Sequence, residues 1–205
     1  MRETNAPKFF KTPFTPAYWK LAAKEFRSLR TLAVASLLIA LDVVVARFYI
    51  PVGLNLRVYF NYLVTALLSL ICGPVVGIAA GFVRDTIGFL LDPSWGYFFG
   101  YTVTAMASGL IYGLFFYRAK ITVLRIALCK LLINVLVNIV LGCLWSQMMY
   151  QKGYLYFLST SVPKNLLLLP AEILLLTLFL QVMLPVLRRA KLIPAQPTTR
   201  IPFFK

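Results

Sequence analysis

The chain has 205 residues, 60% of them hydrophobic, and its 21 Lys and Arg residues against 6 Asp and Glu give a net charge of +15. Leu, Val and Ile recur in runs near the ~20 residues that cross about 30 Å of hydrocarbon, a pattern that a soluble core does not explain. Most basic residues lie in the two tails and one loop, so membrane topology accounts for them better than nucleic-acid binding does. The composition predicts a multi-pass membrane protein without a nucleic-acid partner.

The residue types argue against several kinds of chemistry. The chain has no histidine, which removes HExxH metalloproteases, Ser-His-Asp hydrolases and His-ligated haem. Neither a Walker-type GxxxxGK[ST] motif nor an Asp-rich prenyl-diphosphate motif occurs. The three cysteines lie in or beside apolar runs without a CxxC pair, which is typical of small buried side chains. We therefore expect no metal, no cofactor and no enzymatic activity.

Residues 1–30 are expected to form a basic cytoplasmic tail that contains an amphipathic helix. The stretch TPAYWKLAAKEFRSLR begins at Thr15 like a helix, with a Thr cap and a Pro in the first turn. Its apolar face consists of residues at helical spacing: Trp19, Ala22, Phe26 and Leu29. With lysine and arginine around that face, the pattern predicts a helix on an anionic membrane surface, and a solvated tail is the alternative.

Residues 31–187 are predicted to form an all-α bundle of six transmembrane helices. The approximate spans are 32–50, 59–71, 75–91, 100–116, 126–149 and 165–187. Gly73-Pro74 separates the second span from the third, as a stop-and-restart signal. Loops are expected at 51–58 and in YQKGYLYFLSTS before the sixth span, and residues 188–205 are left as an unstructured cytoplasmic tail.

The basic residues predict the orientation of the bundle. With six spans, the N-terminal tail, the loop at 118–125 and the C-terminal tail fall on one side, and they hold most of the Lys and Arg. The positive-inside rule makes that side cytoplasmic. Both termini are then cytoplasmic, and the loops near 51–58, 92–99 and 150–163 face outward.

Small residues recur at four-residue spacing in three of the spans. They are Gly73, Gly77 and Gly81 in the third span, Gly109 and Gly113 in the fourth, and Ser36 and Ala40 in the first. Such faces let transmembrane helices approach closely. Packing within the bundle is the expected role of the glycines, whereas the partner of Ser36 and Ala40 stays open.

Charged and aromatic residues near the outer end of the third span predict a small-molecule site. Arg84 and Asp85 lie about 9–10 Å deep in an apolar helix, where charge requires a partner or a wet cavity. An ion pair of Arg84 with Asp42 or Glu172 is the structural alternative to ligand binding. The following loop supplies flat side chains at the mouth of the site: Trp95, Tyr97, Phe98, Phe99 and Tyr101.

The fifth and sixth spans carry further polar residues. Lys130, Asn134 and Asn138 form a stripe that we interpret as structural, with Lys130 reaching back to the cytoplasmic interface. Lys164 is placed where an outer loop becomes a helix, a position suited to catching a carboxylate. Glu172 lies deeper and must be paired or protonated.

Three stretches carry a family resemblance: LNLRVYFNYLVTALLSLICGPVVGIAAGFVRDTIGFL, GYFFGYTVTAMASGLIYGLFFYR and PKNLLLLPAE. Together they resemble the substrate-binding S component of energy-coupling factor (ECF) vitamin transporters, in its folate-specific branch, over about residues 30–187. The resemblance implies six helices, an outward vitamin pocket, and docking onto a module of one transmembrane coupling subunit and two ATPases. The family's Ala-xxx-Ala docking motif on the first helix corresponds to Ser36 and Ala40.

Folate fits the residues of the predicted site, because its pterin stacks on aromatic rings and its glutamate tail is anionic. The ring contacts are expected from Trp95, Tyr97, Phe98 and Tyr101. Carboxylates would be held by Arg57 and Lys164, and the polar edge would be read by Asn61, Arg84, Asp85 and Asn165. The alternatives are an S component for another flat vitamin such as riboflavin, a membrane enzyme, or a scaffold without a ligand.

Overall fold

The computed structural model describes residues 9–10, 12–53, 56–93, 96–150, 153–194 and 201–203, and for residues 51–53 and 56–58 it describes the backbone alone. Helices make up most of this part of the chain. They are α1 (Pro16–Glu25), α2 (Leu29–Val45), α3 (Asn61–Leu91), α4 (Phe99–Phe116), α5 (Val123–Tyr150) and α6 (Tyr154–Arg189). Between α2 and α3 lies a two-stranded antiparallel hairpin of β1 (Tyr49–Gly53) and β2 (Leu56–Tyr59).

Helix α3 reverses direction at Gly73, as the Gly-Pro signal predicts. Gly73 has φ 82°, which glycine adopts without a steric penalty, and Pro74 then begins the second helical segment. In one straight helix, residues 65 and 84 would lie about 28 Å apart. Arg84 Nη1 instead donates a hydrogen bond of 2.8 Å to Thr65 Oγ1. The segments 61–72 and 74–91 therefore pack side by side in opposite directions.

The predicted small-residue faces of α3 and α4 pack directly against each other. A Cβ added to Gly77 would lie 2.8 Å from the carbonyl oxygen of Gly109, and one added to Gly81 would lie 2.6 Å from that of Ala105. Gly113 lies against Pro74 in the same antiparallel register. The glycines thus let two helix backbones touch, a contact that dispersion stabilises without a hydrophobic driving force.

Several helices meet the requirements of a membrane span. Among the described residues, α3, α4, α5 and α6 are long and apolar enough to cross a membrane, and α1 with α2, bent by 75°, is a fifth if the pair counts as one span. Many large apolar side chains on these helices point outward, among them Leu41 on α2, Leu128 on α5 and Leu174 on α6. An apolar exterior of this kind is what hydrocarbon requires.

One end of the bundle, which we call the basic end, gathers both terminal segments. Tyr18 and Ala22 of α1 are buried there, and Tyr18 Oη donates a 2.8 Å hydrogen bond to the carbonyl of Gly113. Trp19 and Phe26, expected on the same apolar face as Ala22, are exposed on the outside of the bundle. The helix begins at Pro16 as predicted, but it buries the side that carries Tyr18.

The first span and the loop after it differ from the prediction. The span was expected to reach residue 50, yet α2 ends at Val45 and Tyr49 already pairs with Tyr59 across the hairpin. β-Branched and aromatic residues such as Tyr49, Ile50, Val58 and Tyr59 favour strands, although the same apolar run resembles a helix end.

The sixth helix also differs, because it begins eleven residues earlier than expected. Helix α6 runs over 36 residues from Tyr154 and contains Pro163, Pro170 and Pro185. Ser159 and Thr160 hydrogen-bond back to the carbonyl of Tyr156 in the preceding turn. The stretch expected as a polar loop is therefore largely helical, and Lys164 lies within the helix instead of at its start.

The C-terminal tail, expected without structure, returns to the bundle at residues 201–203. The carbonyls of Pro202 and Phe203 accept hydrogen bonds from the backbone N–H groups of Val123 and Leu124, at 3.0 and 3.4 Å. These are the first two N–H groups of α5, which have no acceptor within their own helix. The backbone N–H of Ile201 donates to Gln181 Oε1 at 2.8 Å, which fixes the segment to α6.

Candidate functional site

Two adjoining cavities open among the helices away from the basic end. The larger, of about 710 Å³, is enclosed by α3, α4, α5 and α6. The smaller, of about 410 Å³, extends toward the loop before α4. Both are lined by Asn61, Arg84, Asp85 and Tyr101, so they form one continuous site. Cavities of this size are typical of small-molecule binding.

Arg84 joins three helical segments at the wall between the cavities. Its Nη1 donates to Thr65 Oγ1 at 2.8 Å and lies 3.5 Å from Asp42 Oδ2. Thr65 in turn donates to the same Asp42 oxygen at 2.6 Å. The Arg84–Asp42 ion pair named as a structural alternative is therefore formed, and Arg84 lines the cavity as well.

Asp85 is held by a short hydrogen-bond chain. Its Oδ2 accepts from Thr102 Oγ1 at 2.6 Å, and Thr102 Oγ1 lies 2.7 Å from the hydroxyl of Tyr97. Because Thr102 is fully buried, it fixes the Asp85 carboxylate against α4. Neighbouring residues on a helix point about 100° apart, so Arg84 and Asp85 contact different partners although both line the site.

Lys130 and Glu172 form a second ion pair, at the opposite wall of the larger cavity. Lys130 Nζ lies 3.1 Å from Glu172 Oε2 and 4.1 Å from the ring centroid of Tyr62. Asn134 donates to the same Glu172 oxygen at 3.0 Å. Lys130 is only 1% exposed, so the expectation that it reaches the cytoplasmic interface is wrong, whereas Glu172 is paired as required.

A π-helical stretch in α5 presents the polar stripe to this cavity. Residues Ile133–Leu141 form the stretch, and it carries Asn134, Val137 and Asn138. Asn138 Nδ2 donates to Asn134 Oδ1 at 2.9 Å, and Val137 and Asn138 line the cavity. π-Helical turns are rare and often occur at functional sites, because they change the direction of side chains along a helix.

Aromatic rings line the site on the side of α4. Phe98 packs edge-on against both Tyr101 and Trp145, with ring centroids 5.6 and 5.7 Å apart. Trp145 Nε1 donates to Thr104 Oγ1 at 2.9 Å, which fixes the indole between α4 and α5. The arrangement offers flat apolar surfaces beside polar groups.

Lys164 differs from the other cations of the site because it has no counter-ion among the residues that the structure describes. In the described part of the chain, each of the five acidic residues has a partner: Glu25 with Arg118, Asp42 with Arg84, Asp85 with Thr102, Asp92 with Arg47, and Glu172 with Lys130. Lys164 lines the larger cavity without an ion pair to any of them. An anionic ligand would supply the missing charge.

Most of the residues predicted for the site line the two cavities. Asn61, Arg84, Asp85 and Tyr101 line both, Tyr97 and Phe98 line the smaller, and Lys164 and Asn165 line the larger. Trp95 and the side chain of Arg57 lie outside the described residues. Their predicted contacts, like the ligand roles of the other residues, stay predictions.

The polar residues that α4 contributes to the site were not predicted from the sequence. Thr104, Ser108 and Tyr112 line the larger cavity, and Tyr112 is buried with a hydroxyl that has no hydrogen bond among the described residues. The sequence does contain a signal for this polar face. Thr104, Ser108 and Tyr112 follow one another at four-residue spacing along an apolar span. The glycines of the same helix form a different stripe, about 100° around the helix, which packs against α3.

Apolar helices around a polar, aromatic-lined cavity define a multi-pass membrane protein built to bind a small molecule. The profile of the ECF-type riboflavin transporter S component matches residues 26–184. The folate transporter FolT of Clostridium novyi is 30% identical over 65% of this chain and 77% of that protein. The FolT of Leuconostoc mesenteroides is 31% identical over 70% of this chain and 80% of that protein. This chain therefore belongs to the S-component family of ECF-type transporters, and it is a transport subunit of the membrane, not an enzyme.

A solved structure supports the same relationship. A crystal structure of FolT bound with folic acid superposes with a TM-score of 0.64 at 32% sequence identity. The match covers 71% of this chain and 88% of that one. The two chains therefore share a fold over most of their length.

Proposed function

We propose that this chain is the folate-binding S component of an ECF-type importer, which captures folate at the extracellular face and delivers it through an ATP-driven coupling module. The similarity to two FolT proteins and to a folate-bound FolT supports folate as the ligand. The observation that carries the proposal is Lys164, a cation that no described acidic residue neutralises, in a cavity that also offers aromatic surfaces. Folate combines a flat ring system with an anionic tail.

The proposed orientation places the basic end in the cytoplasm and the cavities near the outer surface. It counts six crossings, with the two segments of α3 on either side of Gly73 as separate spans. Arg118 and Lys120 between α4 and α5, Arg125 in the first turn of α5, and Arg188 and Arg189 at the end of α6 support this orientation by the positive-inside rule. Cysteine labelling from one side of sealed vesicles tests it.

Within the site, rings and charges have separate proposed roles. The aromatic rings of folate, the pterin and the aminobenzoyl group, contact Tyr97, Phe98, Tyr101 and Trp95. The glutamate carboxylates are bound by Lys164 and Arg57, because a charge-assisted hydrogen bond is about twice as strong as a neutral one. Asn61, Arg84, Asp85 and Asn165 read polar atoms of the ligand.

Riboflavin is the competing ligand, since the matching family profile carries its name. Riboflavin is flat but uncharged, and it would leave Lys164 without a partner. Thiamine is cationic, which a cavity lined by Arg84, Lys130 and Lys164 disfavours.

The experiment is a thermal-stability measurement of the purified protein with folate, riboflavin or thiamine. A ligand that binds only the native state at 100 times its Kd stabilises it by about 2.7 kcal/mol. We expect stabilisation by folate at submicromolar concentration and none by the other two. A larger effect of riboflavin would overturn the assignment, and no effect of any vitamin would favour a scaffold.

We propose that Ser36 and Ala40 of α2 contact the transmembrane coupling subunit, which works with two ATPases. Both residues are exposed, and Ser36 Oγ donates to the carbonyl of Leu32 in its own helix, at 3.0 Å. Leu37 and Leu41 beside them are also exposed. Ala40→Trp should abolish co-purification with the coupling module while folate binding persists, and Leu178→Trp on the exposed face of α6 is the matched control.

A further inference from the structure

The wall of the larger cavity formed by Lys130 and Glu172 has hydrogen-bonding capacity that the described part of the chain does not use. Glu172 Oε2 accepts from both Lys130 and Asn134, at 3.1 and 3.0 Å. Glu172 Oε1 has no hydrogen bond among the described residues. Lys130 has three N–H donors, of which one faces Glu172 while the ammonium also lies over the ring of Tyr62.

Two neighbouring hydroxyl groups also have hydrogen-bonding capacity that the described residues do not use. The hydroxyls of Tyr62 and Tyr112 are buried and have no hydrogen-bond partner in the described part of the chain. Both residues line the same cavity as Lys130 and Glu172. Buried polar atoms are nearly always satisfied, so a cluster of unused donors and acceptors around one cavity wall indicates where a polar ligand edge binds.

The position of this wall separates it from the proposed carboxylate site. Lys164 and Glu172 both lie on α6 and line the same cavity, but eight residues, or about 12 Å of helix, separate them. A ligand whose tail contacts Lys164 therefore reaches Lys130 and Glu172 with its other end. In folate, that other end is the pterin ring.

We propose that Glu172 and Lys130 recognise the 4-oxo form of the pterin edge, and so select 4-oxopteridines over 4-aminopteridines; this inference rests on the proposed binding of folate. The edge presents three groups in a row: the 4-oxo acceptor, the N3–H donor and the 2-amino donor. The Glu172 carboxylate accepts from N3–H and the 2-amino group, and the Lys130 ammonium donates to the 4-oxo oxygen. In a 4-aminopteridine that oxygen is replaced by a donor, which faces the ammonium unfavourably.

The first test uses the unaltered protein and two ligands that differ at this edge. Folate and its 4-amino analogue aminopterin have the same aminobenzoyl-glutamate tail, so Lys164 contributes equally to both. We expect aminopterin to bind at least about tenfold more weakly, because a buried donor facing a donor is left unpaired. Equal or tighter binding of aminopterin would overturn the inference while leaving folate binding established; failure of both ligands to bind would overturn the proposed function instead.

The second test assigns the selectivity to these two residues. Removing one charge of a buried pair destabilises proteins, whereas replacing both by apolar residues is often tolerated. The double variant Lys130→Met/Glu172→Met is therefore measured after its ligand-free melting temperature has been determined. We expect the folate-to-aminopterin affinity ratio to fall to about one. A ratio retained in this variant would contradict the assignment.

The matched control is Lys164→Gln. It should weaken folate and aminopterin by the same factor and leave their ratio unchanged, since it acts on the common tail. A change of the ratio in Lys164→Gln alone would place the selectivity at the tail and overturn the proposal. If the double variant does not fold, the comparison of the two ligands on the unaltered protein still decides the outcome.

Discussion

Asp42 and Arg84 lie 3.5 Å apart and join α2 to the second segment of α3, with the Asp42 side chain 3% exposed. Arg47 and Asp92 form an ion pair of the same length near the loop before α4, but their side chains are 48% and 49% exposed. The N–O distance is the same in both ion pairs and their exposure differs. Substitutions in the two pairs therefore show the effect of burial within one protein.

We expect Arg84→Gln to destabilise the protein far more than Arg47→Gln does. Removing one partner of a buried pair costs about 3–5 kcal/mol, because the remaining charge stays buried without compensation. Exposed pairs contribute about 0–1 kcal/mol. For a chain of this size, the melting temperature should fall by at least about 6 °C in Arg84→Gln and by less than about 3 °C in Arg47→Gln.

The measurement can use the cysteines. Cys72, Cys129 and Cys143 are free and fully buried, so a thiol-reactive fluorophore reports unfolding of the ligand-free protein in detergent. Equal decreases of the melting temperature in Arg84→Gln and Arg47→Gln would contradict the claim that burial strengthens the effect of losing the ion pair.

The close contact of α3 with α4 gives a second prediction. Gly109→Ala would place its Cβ against the carbonyl oxygen of Gly77, and backbone cannot move away as a flexible side chain can. Gly88→Ala is the matched control, since no atom lies within 4 Å of its added Cβ. Replacing glycine in a helix by alanine otherwise stabilises by up to about 1 kcal/mol.

We therefore expect Gly109→Ala to lower the melting temperature or prevent folding, and Gly88→Ala to leave it unchanged or raise it. Separation of the helices in Gly109→Ala would also show as faster labelling of the buried cysteines. A stable Gly109→Ala variant would mean that the two helices do not touch at this point.

Features encoded by neighbouring residues were predictable from the sequence. Gly73-Pro74 predicted a break because one residue permits a positive φ and the next lacks an N–H. The glycines at four-residue spacing predicted a packed face, because small residues let two helix backbones approach closely. Arg84 and Asp85 drew attention because charge in an apolar helix needs a partner.

Features that depend on which helices become neighbours were not predictable. Lys130 was expected at the interface because its distance from the basic loop permits it, and only the packing of α5 against α6 brings it to Glu172. The return of residues 201–203 depends on the free N–H groups of another helix.

The buried tyrosine of α1 gives a third prediction. Tyr18→Phe removes the hydrogen bond to the Gly113 carbonyl and leaves that oxygen without this donor. We expect a loss of about 0.5–1.5 kcal/mol, seen as a lower melting temperature. Tyr150→Phe is the control, because Tyr150 is exposed and its hydroxyl has no hydrogen bond in the described part of the chain.

Folate affinity should be the same in both tyrosine variants, since Tyr18 lies at the basic end and does not line either cavity. A loss of affinity in Tyr18→Phe would show that α1 is coupled to the binding site. Isothermal titration of the two purified variants distinguishes these outcomes.

Lys164 gives the last prediction, which concerns the anionic tail of the ligand. Lys164→Gln removes a cation that no acidic residue of the described chain neutralises, and so it should weaken folate binding by about tenfold or more. The same substitution should have little effect on a folate analogue whose two glutamate carboxylates are amides, because the lost interaction is with their charge. Lys191→Gln, an exposed lysine at the basic end, should alter neither affinity. Equal weakening of both ligands by Lys164→Gln would show that the lysine shapes the cavity instead of binding the carboxylates.

The salt dependence of folate binding tests the same contact, because salt screens opposite charges in a partly exposed site. The folate affinity of the unaltered protein should decrease as the ionic strength is raised, and this decrease should be smaller in Lys164→Gln.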